Sequence, residues 1–191
     1  MKKRGRENFN KYKSVINLLV LINSYIPKNM NKILWLFFSQ TKGLPGILIR
    51  YILLRNLTRS CGDNVSVHSG VYIFGIENLS IGNNVSVHPM CYIEANGGVE
   101  IGNDVSIAHG VTIMSTTHNY KLKDVPIKDQ KISTNKVLIS NNVWIGAKST
   151  ILCGIKLGSG NIVAAHTLVT KDFINENIVL GGIPAKEIKK R

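Results

Sequence analysis

The chain of 191 residues is poor in cysteine and in acidic residues, and none of its hydrophobic runs reaches the roughly eighteen residues that a membrane-spanning helix requires. Its three cysteines, Cys61, Cys91 and Cys153, stand far apart and form no CxxC pair. This argues against a disulfide framework and is typical of a reducing compartment. No Walker-type or GxGxxG segment occurs, so nucleotide hydrolysis and NAD chemistry have no support. We therefore expect a protein of the cytoplasm.

The positive charge is concentrated in residues 1–60. This segment holds twelve of the 24 Lys and Arg but only one acidic residue, Glu7, so it carries +11 of the net charge of +13. Turn residues, at Pro27, Gly43, Pro45 and Gly46, divide its apolar sequence into three runs: Val15–Ile26, Ile33–Phe38 and Ile47–Leu54. The pattern predicts two or three amphipathic helices.

Two interpretations of this helical segment stay open. In the first, the helices cap the open end of the following domain and pack against a partner subunit. In the second, basic residues interleaved with apolar ones such as Trp35 and Phe37 let the helices lie on an anionic membrane surface, at the inner face of the membrane. Residues 1–13 carry six of the positive charges and little apolar surface, so we expect them to form an outer arm.

We do not expect the basic segment to bind nucleic acid or to be a secretory signal peptide. Nucleic-acid binding has little support because no aromatic β-platform or zinc module accompanies the charge. A secretory signal peptide would need a small-residue cleavage site after the apolar stretch, and none follows.

Residues 62–121 repeat one pattern three times. The blocks read GDNVSVHSGVYIFGIENLSI, GNNVSVHPMCYIEANGGVEI and GNDVSIAHGVTIMSTTHNYK. A fixed repeat of about twenty residues is typical of stacked structural units. Aliphatic residues recur at every sixth position: Val67, Ile73 and Leu79; Ile81, Val87, Ile93 and Val99; Ile101, Ile107 and Ile113; Ile139, Ile145, Ile151, Leu157, Val163 and Val169.

A period of six fits neither an amphipathic helix nor an alternating strand. It predicts a coil of short parallel strands, three to a turn of roughly eighteen residues, with one side chain of each strand on a common axis. Gly82 and Asn84 exemplify the predicted corners, since both residue types accept positive φ or form turns. We predict an all-β solenoid over residues 61–174, preceded by a mostly α-helical segment (1–60) and followed by a tail (175–191).

The six-residue rhythm fails between Met114 and Ile139, where residues 116–136 form a long polar insertion. An unstructured loop of this length in a compact domain is usually functional. His118 stands at its base, and an imidazole that titrates near neutrality can remove a proton from an attacking hydroxyl group. The alternative is a solvated histidine in a polar loop.

With these features the chain resembles the hexapeptide-repeat acyltransferases. The resemblance covers roughly residues 62–191 and rests on the hexads, on STTHN at 115–119, on the NNVWIGA segment that begins at 141 and on the ending GGIPAKEIKKR. The nearest branch contains the maltose and galactoside acetyltransferases and relatives that acetylate nodulation factors, capsules and O-antigens. The resemblance implies a left-handed parallel β-helix and a homotrimer with sites between subunits. Left-handed crossovers between parallel strands are rare in other folds.

The resemblance also implies roles for individual residues. His118 matches the catalytic base, the backbone N–H of Ala147 matches the oxyanion donor, and Trp144 matches a residue of the donor pocket. Acetyl-CoA would be the acyl donor, with its pantetheine arm passing Ala147 and Ala165. Hydroxyl and ammonium groups near the expected phosphate end are Thr170, Lys171, Lys186, Lys189 and Lys190.

Three residues are candidates for the acceptor side. His88 stands where the sugar acetyltransferases have an asparagine, and Asn96 stands where the galactoside enzyme has an acidic residue. Glu94 would bind the acceptor or orient His118, or else is an exposed turn carboxylate. A stacked His68–His88 pair suggests zinc, but a catalytic site needs three histidines and Ala108 occupies the third position of the column, so no metal is expected.

The predicted function is therefore acetyl-CoA-dependent O-acetylation of a saccharide acceptor, a cell-surface polysaccharide or its precursor, by direct transfer. Two alternatives stay open. One is N-acylation of a nucleotide-linked amino sugar, and the other is a non-catalytic β-helix scaffold.

Overall fold

A computed structural model describes residues 5–191, so the predicted basic residues Lys2, Lys3 and Arg4 lie outside the described residues. Three helices come first: α1 (Gly5–Ser24), α2 (Lys28–Phe38) and α3 (Gly43–Leu57). A three-sided parallel β-helix follows, with six parallel rungs on its longest side. The predicted solenoid with an N-terminal helical segment is confirmed.

Each side of the coil is one parallel sheet. Face A contains β1 (Ser60–Cys61), β4 (Leu79–Ile81), β7 (Val99–Ile101), β12 (Val137–Ile139) and β15 (Lys156–Leu157). Face B contains β2 (Ser66–Val67), β5 (Ser86–Val87), β8 (Ser106–Ile107), β13 (Trp144–Ile145), β16 (Ile162–Val163) and β18 (Ile178–Gly181), with β19 (Lys186–Lys190) antiparallel at its edge. Face C contains β3 (Tyr72–Phe74), β6 (Tyr92–Glu94), β9 (Thr112–Met114), β14 (Thr150–Ile151) and β17 (Leu168–Val169). An arm outside the coil contains β10 (Thr116–His118) and β11 (Ile132–Thr134), and short 3-10 helices span Ile76–Asn78 and Ile127–Asp129.

The six-residue pattern forms the core. Val87, Ile107, Ile145 and Val163 stack on face B in successive rungs and are completely buried. Each rung adds one such side chain per face, and its backbone pairs with the rungs on both sides. The core is therefore a column of aliphatic side chains that needs no aromatic filler.

Two different constraints shape the corner between faces A and B. Asn84 and its counterparts in the other rungs adopt left-handed backbone, with φ of 58° at Asn84 and 57° at Asp104. Gly82 is required for a different reason than the one expected: a Cβ there would lie 2.7 Å from the backbone carbon of Gly102. The glycine column lets successive rungs approach each other.

The third helix closes the first rung of the coil. Leu54 and Leu57 of α3 are buried in the same core as the coil, and the buried Arg50 donates to the carbonyls of Val67 and Phe38 at 2.8 Å each. Burial lowers the pKa of Arg50. The helical segment therefore caps the coil, as the first interpretation expected.

The first helix lies against the coil. Arg6 contacts Asp104 at 2.7 Å, and Lys13 contacts Asp63 at 2.7 Å. The expectation of an outer arm is therefore wrong for residues 5–13, which belong to a helix bound to the corner between faces A and B. The predicted tail also extends the solenoid, because β18 adds a rung to face B.

Candidate active site

The insertion at 116–136 is a two-stranded arm and not the structureless loop that the sequence suggested. Strands β10 and β11 pair antiparallel, with His118 opposite Ile132. The arm leaves the coil at the end of face C and returns at the start of face A. Because backbone pairing holds both strands, His118 occupies a defined place outside the coil.

The tip of the arm is closed by Gln130, a residue that sequence reasoning missed. Its side chain is buried and donates to the carbonyls of Leu122 and Val125 at 2.8 and 2.9 Å, while its amide oxygen accepts from the Leu122 N–H. A glutamine in a polar stretch carries no sequence signal for this role, because the contacts form only after the arm folds back.

The base of the arm is fixed by Ser115, which is buried between β9 and β10. Its hydroxyl donates to the backbone carbonyl of Glu94 at 2.9 Å and accepts from the Gly97 N–H at 2.8 Å. Its carbonyl accepts from the Asn135 N–H at 2.9 Å and from the Cys153 thiol at 3.0 Å. One residue therefore ties the outgoing strand of the arm to its return.

Glu94 supports this junction and is not the exposed turn carboxylate considered above. It is buried, and its carboxylate accepts from the backbone N–H of Asn96 at 2.7 Å and from that of Ser115 at 3.1 Å. Among residues 5–191 it makes no hydrogen bond to His118. Glu94 therefore acts on the turn that begins the arm, and its predicted action on the imidazole would be indirect.

The imidazole of His118 is exposed at the end of β10. Asn96 is also exposed at the corner between faces C and A, where the arm begins. An exposed imidazole on a rigid base can meet a substrate hydroxyl without first losing a structural hydrogen bond. This corner thus presents the predicted base and one predicted acceptor residue.

The predicted donor residues lie elsewhere on the coil. Trp144 points outward from face B, is 52% exposed and stands between Ser106 and Ile162. Ala147 and Ala165 occupy the next corner, between faces B and C, in adjacent rungs. Neither of their N–H groups donates to an acceptor anywhere in the described part of the chain.

The backbones of these two rungs lie close together at this corner. A Cβ at Gly146 would lie 2.6 Å from the Ala165 nitrogen. Ala147 is half-buried and Ala165 is exposed, and their small side chains add little bulk where the rungs approach.

His88 lies at the same corner, between faces B and C, and is exposed. Its ring stacks on that of His68, with centroids 4.9 Å apart and planes inclined by 17°. Burial lowers the pKa of His68, and the neighbouring His88 and Arg50 lower it further. Within residues 5–191, no three His, Cys, Asp or Glu side chains are grouped so that they could hold a metal ion.

The predicted phosphate-binding residues are divided between two places. Thr170 and Lys171 are exposed just after face C, where the Lys171 ammonium lies 5.5 Å from the centre of the Phe173 ring. The other three, Lys186, Lys189 and Lys190, are exposed on β19 at the edge of face B. The segment between β18 and β19 adjoins β17, because the Leu168 N–H donates to the Gly182 carbonyl and the Ala185 N–H donates to the Leu168 carbonyl.

The predicted site residues thus form two groups in one chain. His118, Glu94 and Asn96 lie at the corner between faces C and A. His88, Trp144, Ala147 and Ala165 lie on face B and at its corner with face C.

No helix among residues 5–191 is both long enough and apolar enough to span a bilayer.

Comparison with known proteins gives consistent matches. The family described as bacterial transferase hexapeptide (six repeats) matches residues 136–171. The chloramphenicol acetyltransferase of Morganella morganii is 51% identical over 53 residues, which are 28% of this chain and 25% of that protein. This chain thus matches about a quarter of the length of that relative.

Two other relatives match over longer segments. The galactoside O-acetyltransferase of Escherichia coli K12 is 32% identical over 143 residues, which are 74% of this chain and 68% of that enzyme. WbbJ of the same organism, which its name assigns to lipopolysaccharide biosynthesis as an O-acetyl transferase, is 33% identical over 135 residues, 67% of this chain and 58% of WbbJ.

Among solved structures, a galactoside acetyltransferase in complex with coenzyme A matches with a TM-score of 0.75 and 27% identity, over 85% of this chain and 80% of that chain. The resemblance implied a left-handed β-helix, and the fold of these structural neighbours confirms it. From the identity to the galactoside enzyme across two thirds of its length, and from the shared coil, we conclude that the chain belongs to the hexapeptide-repeat acetyltransferases.

Proposed function

We propose that this protein transfers an acetyl group from acetyl-CoA to a hydroxyl group of a saccharide, a cell-surface polysaccharide or its precursor. The observation that carries the proposal is the arm: a rigid hairpin, anchored at Ser115, presents one exposed imidazole outside the coil. The sugar hydroxyl as acceptor is supported by the identity to the galactoside enzyme, and the cell-surface glycan by the identity to WbbJ.

The chemistry requires two groups to act together. His118 removes the proton of the attacking hydroxyl as its oxygen bonds to the thioester carbonyl carbon. The Ala147 N–H stabilises the negative charge that develops on the carbonyl oxygen. When the carbon–sulfur bond breaks, the imidazolium of His118 returns the proton to the departing thiolate. No acyl-enzyme is formed, and no cysteine is needed.

These groups come from different subunits in this proposal. His118 lies at the corner between faces C and A, whereas Trp144 and Ala147 belong to face B and its corner with face C. A homotrimer of three-sided coils would set the arm of one subunit against face B of the next. Acetyl-CoA would then lie along Ala147 and Ala165, with lysines from Lys171 or β19 near its phosphates.

The test replaces the base. His118→Ala should lower kcat about a hundred- to ten-thousand-fold, the range that general-base catalysis supplies, and should leave acetyl-CoA binding within a few-fold of wild type. Lys156→Ala is the control, because Lys156 is exposed on face A and belongs to neither group of predicted site residues. Near-full activity of His118→Ala would rule out this mechanism.

A panel of acceptors tests the substrate. Labelled acetyl-CoA should acetylate oligosaccharides or nucleotide sugars at hydroxyl groups, and the products should release acetate in mild alkali as esters do. Transfer to an amino sugar alone, giving an alkali-stable amide, would instead establish the N-acylating alternative. Absence of transfer to every acceptor would favour a scaffold.

A further inference from the structure

The second helix, α2, presents apolar side chains to the outside. Asn31 and Trp35, one turn apart, are its buried positions. Met30, Ile33 and Phe37 follow the spacing of a single helical face on the other side and are 50%, 48% and 76% exposed. A helix that merely capped the coil would place polar residues on this outer face.

The first helix also exposes apolar side chains. Leu18 and Ile22 lie one turn apart on α1, and Tyr25 follows the end of that helix; they are 56%, 55% and 81% exposed. The two helices are consecutive, with α2 beginning directly after Pro27. Soluble monomers rarely expose large contiguous apolar patches without an interaction partner. The name cap ridge is used below for seven exposed apolar residues of α1, of α2 and of the turn between them: Leu18, Ile22, Tyr25, Met30, Ile33, Leu36 and Phe37.

The charge around the cap ridge indicates the kind of partner. Lys28 begins α2, Lys32 lies within it and Lys42 follows it. Within the described residues Lys32 contacts one acid, Glu77, at 3.6 Å, whereas Lys28 and Lys42 contact none. Basic residues beside an apolar face attract anionic lipid headgroups. A second copy of the same basic segment would be repelled.

We propose that the cap ridge docks the protein on an anionic bilayer. α2 would lie in the plane of the interface, with Phe37 and its row at the acyl boundary and the lysines among the headgroups. The sequence left two alternatives for the helical segment, a membrane surface and a contact with a partner subunit. The cap ridge is the apolar surface that binding to a membrane requires. This docking does not depend on the proposed transfer reaction.

The experiment is co-sedimentation of the full chain with vesicles of phosphatidylglycerol and phosphatidylcholine in equal parts. The double variant Leu36→Ser/Phe37→Ser should lower the bound fraction at least about tenfold, because two exposed apolar side chains are removed. Lys28→Gln/Lys42→Gln should lower vesicle binding roughly tenfold at low salt and less at high salt, because salt screens these charges.

Matched controls distinguish binding through the cap ridge from nonspecific binding to vesicles. Ile174→Ser removes an exposed apolar residue from the far part of the coil, and Lys156→Gln removes an exposed lysine there. Both should bind vesicles like wild type and, like the ridge variants, should keep the wild-type melting temperature. Equal binding by Leu36→Ser/Phe37→Ser and wild type would overturn the proposal. A second outcome would also overturn the proposal: the wild type does not bind vesicles, and Leu36→Ser/Phe37→Ser has a lower oligomeric mass than wild type. The cap ridge would then be a contact between copies of this chain.

Discussion

At the scale of single residues, the candidate base depends on a buried acid that does not touch it. Glu94 accepts from the N–H groups of Asn96 and Ser115, and Ser115 in turn holds both strands of the arm. Glu94 therefore affects the position of His118 indirectly, through Ser115 at the base of the arm. A buried carboxylate that accepts backbone N–H groups is best understood as a positioning residue.

Replacing this acid should loosen the arm. Glu94→Ala leaves the Asn96 N–H without its acceptor and removes one of the two acceptors of the Ser115 N–H, which also donates to the Glu94 carbonyl. We therefore expect the free energy of unfolding to fall by about 1–2 kcal/mol. Turnover should fall about tenfold because the base is less well placed, while acetyl-CoA binding should be preserved. Limited trypsin digestion should cut faster after the exposed Lys121 and Lys123 of the arm.

Glu100→Ala is the control for this prediction. Glu100 forms an exposed ion pair with Lys136 at 2.6 Å, close to the return strand of the arm. An exposed pair contributes about 0–1 kcal/mol, so stability, turnover and trypsin sensitivity should stay near wild type. Wild-type trypsin sensitivity of Glu94→Ala would show that Glu94 does not position the arm.

At the scale of elements, α1 packs on α3 through apolar residues such as Ile16 and Phe9 and also forms ion pairs at one corner of the coil. Asp63 accepts from Lys13 and also contacts Arg55 at 3.2 Å. The hydrogen bond from Lys13 is the largest cause that lowers the pKa of Asp63, and Arg55 adds to it. The stabilisation is therefore present above the usual aspartate pKa and is lost as the pH falls through the lower pKa of the folded state.

This attachment predicts a pH-dependent effect of one lysine. Lys13→Gln should lower the melting temperature by roughly 1–3 °C at pH 7, as expected for a partly exposed ion pair. The difference from wild type should shrink as the pH falls through the lowered pKa of Asp63, and should disappear once Asp63 is protonated in both proteins. Lys11→Gln, on the same helix but beside the Tyr12 ring, should show no such pH dependence. A Lys13→Gln deficit of the same size in acid would refute the role of this charge pair.

At the scale of the whole molecule, the separation of the two site groups predicts shared active sites. Light scattering should report a trimer, and His118→Ala and Trp144→Ala chains should each be nearly inactive alone. When the two are co-refolded in equal amounts, about a quarter of the sites in a cyclic trimer combine an intact arm with an intact face B. Activity should therefore recover to about that fraction of wild type.

A doubly substituted chain provides the control for subunit mixing. His118→Ala/Trp144→Ala refolded with His118→Ala contains no intact arm, so activity should not return. An active monomer, or no recovery in the first mixture despite trimer formation, would show that each site is built within one chain.

Much of this architecture was accessible from the sequence, because a β-helix is periodic. Aliphatic residues at every sixth position face one axis in every rung, so Val87 and Ile145 are buried for a reason that local spacing contains. Asn84 marks its corner in the same way, since its left-handed backbone is a local preference. The interruption of the rhythm likewise located the arm and His118 without any structure.

Tertiary structure decided what depends on contacts between distant residues. Gly82 is required by the approach of the next rung, and the buried Glu94 bonds to Ser115, 21 residues further along the chain. The sequence by itself thus determined the coil, its family and the candidate base, since each follows from spacing along the chain. Only the folded chain determined that α1 is bound to the coil, that α2 turns its apolar face outward and that the site groups lie on different corners. These depend on which surfaces meet in three dimensions, and local spacing does not encode that.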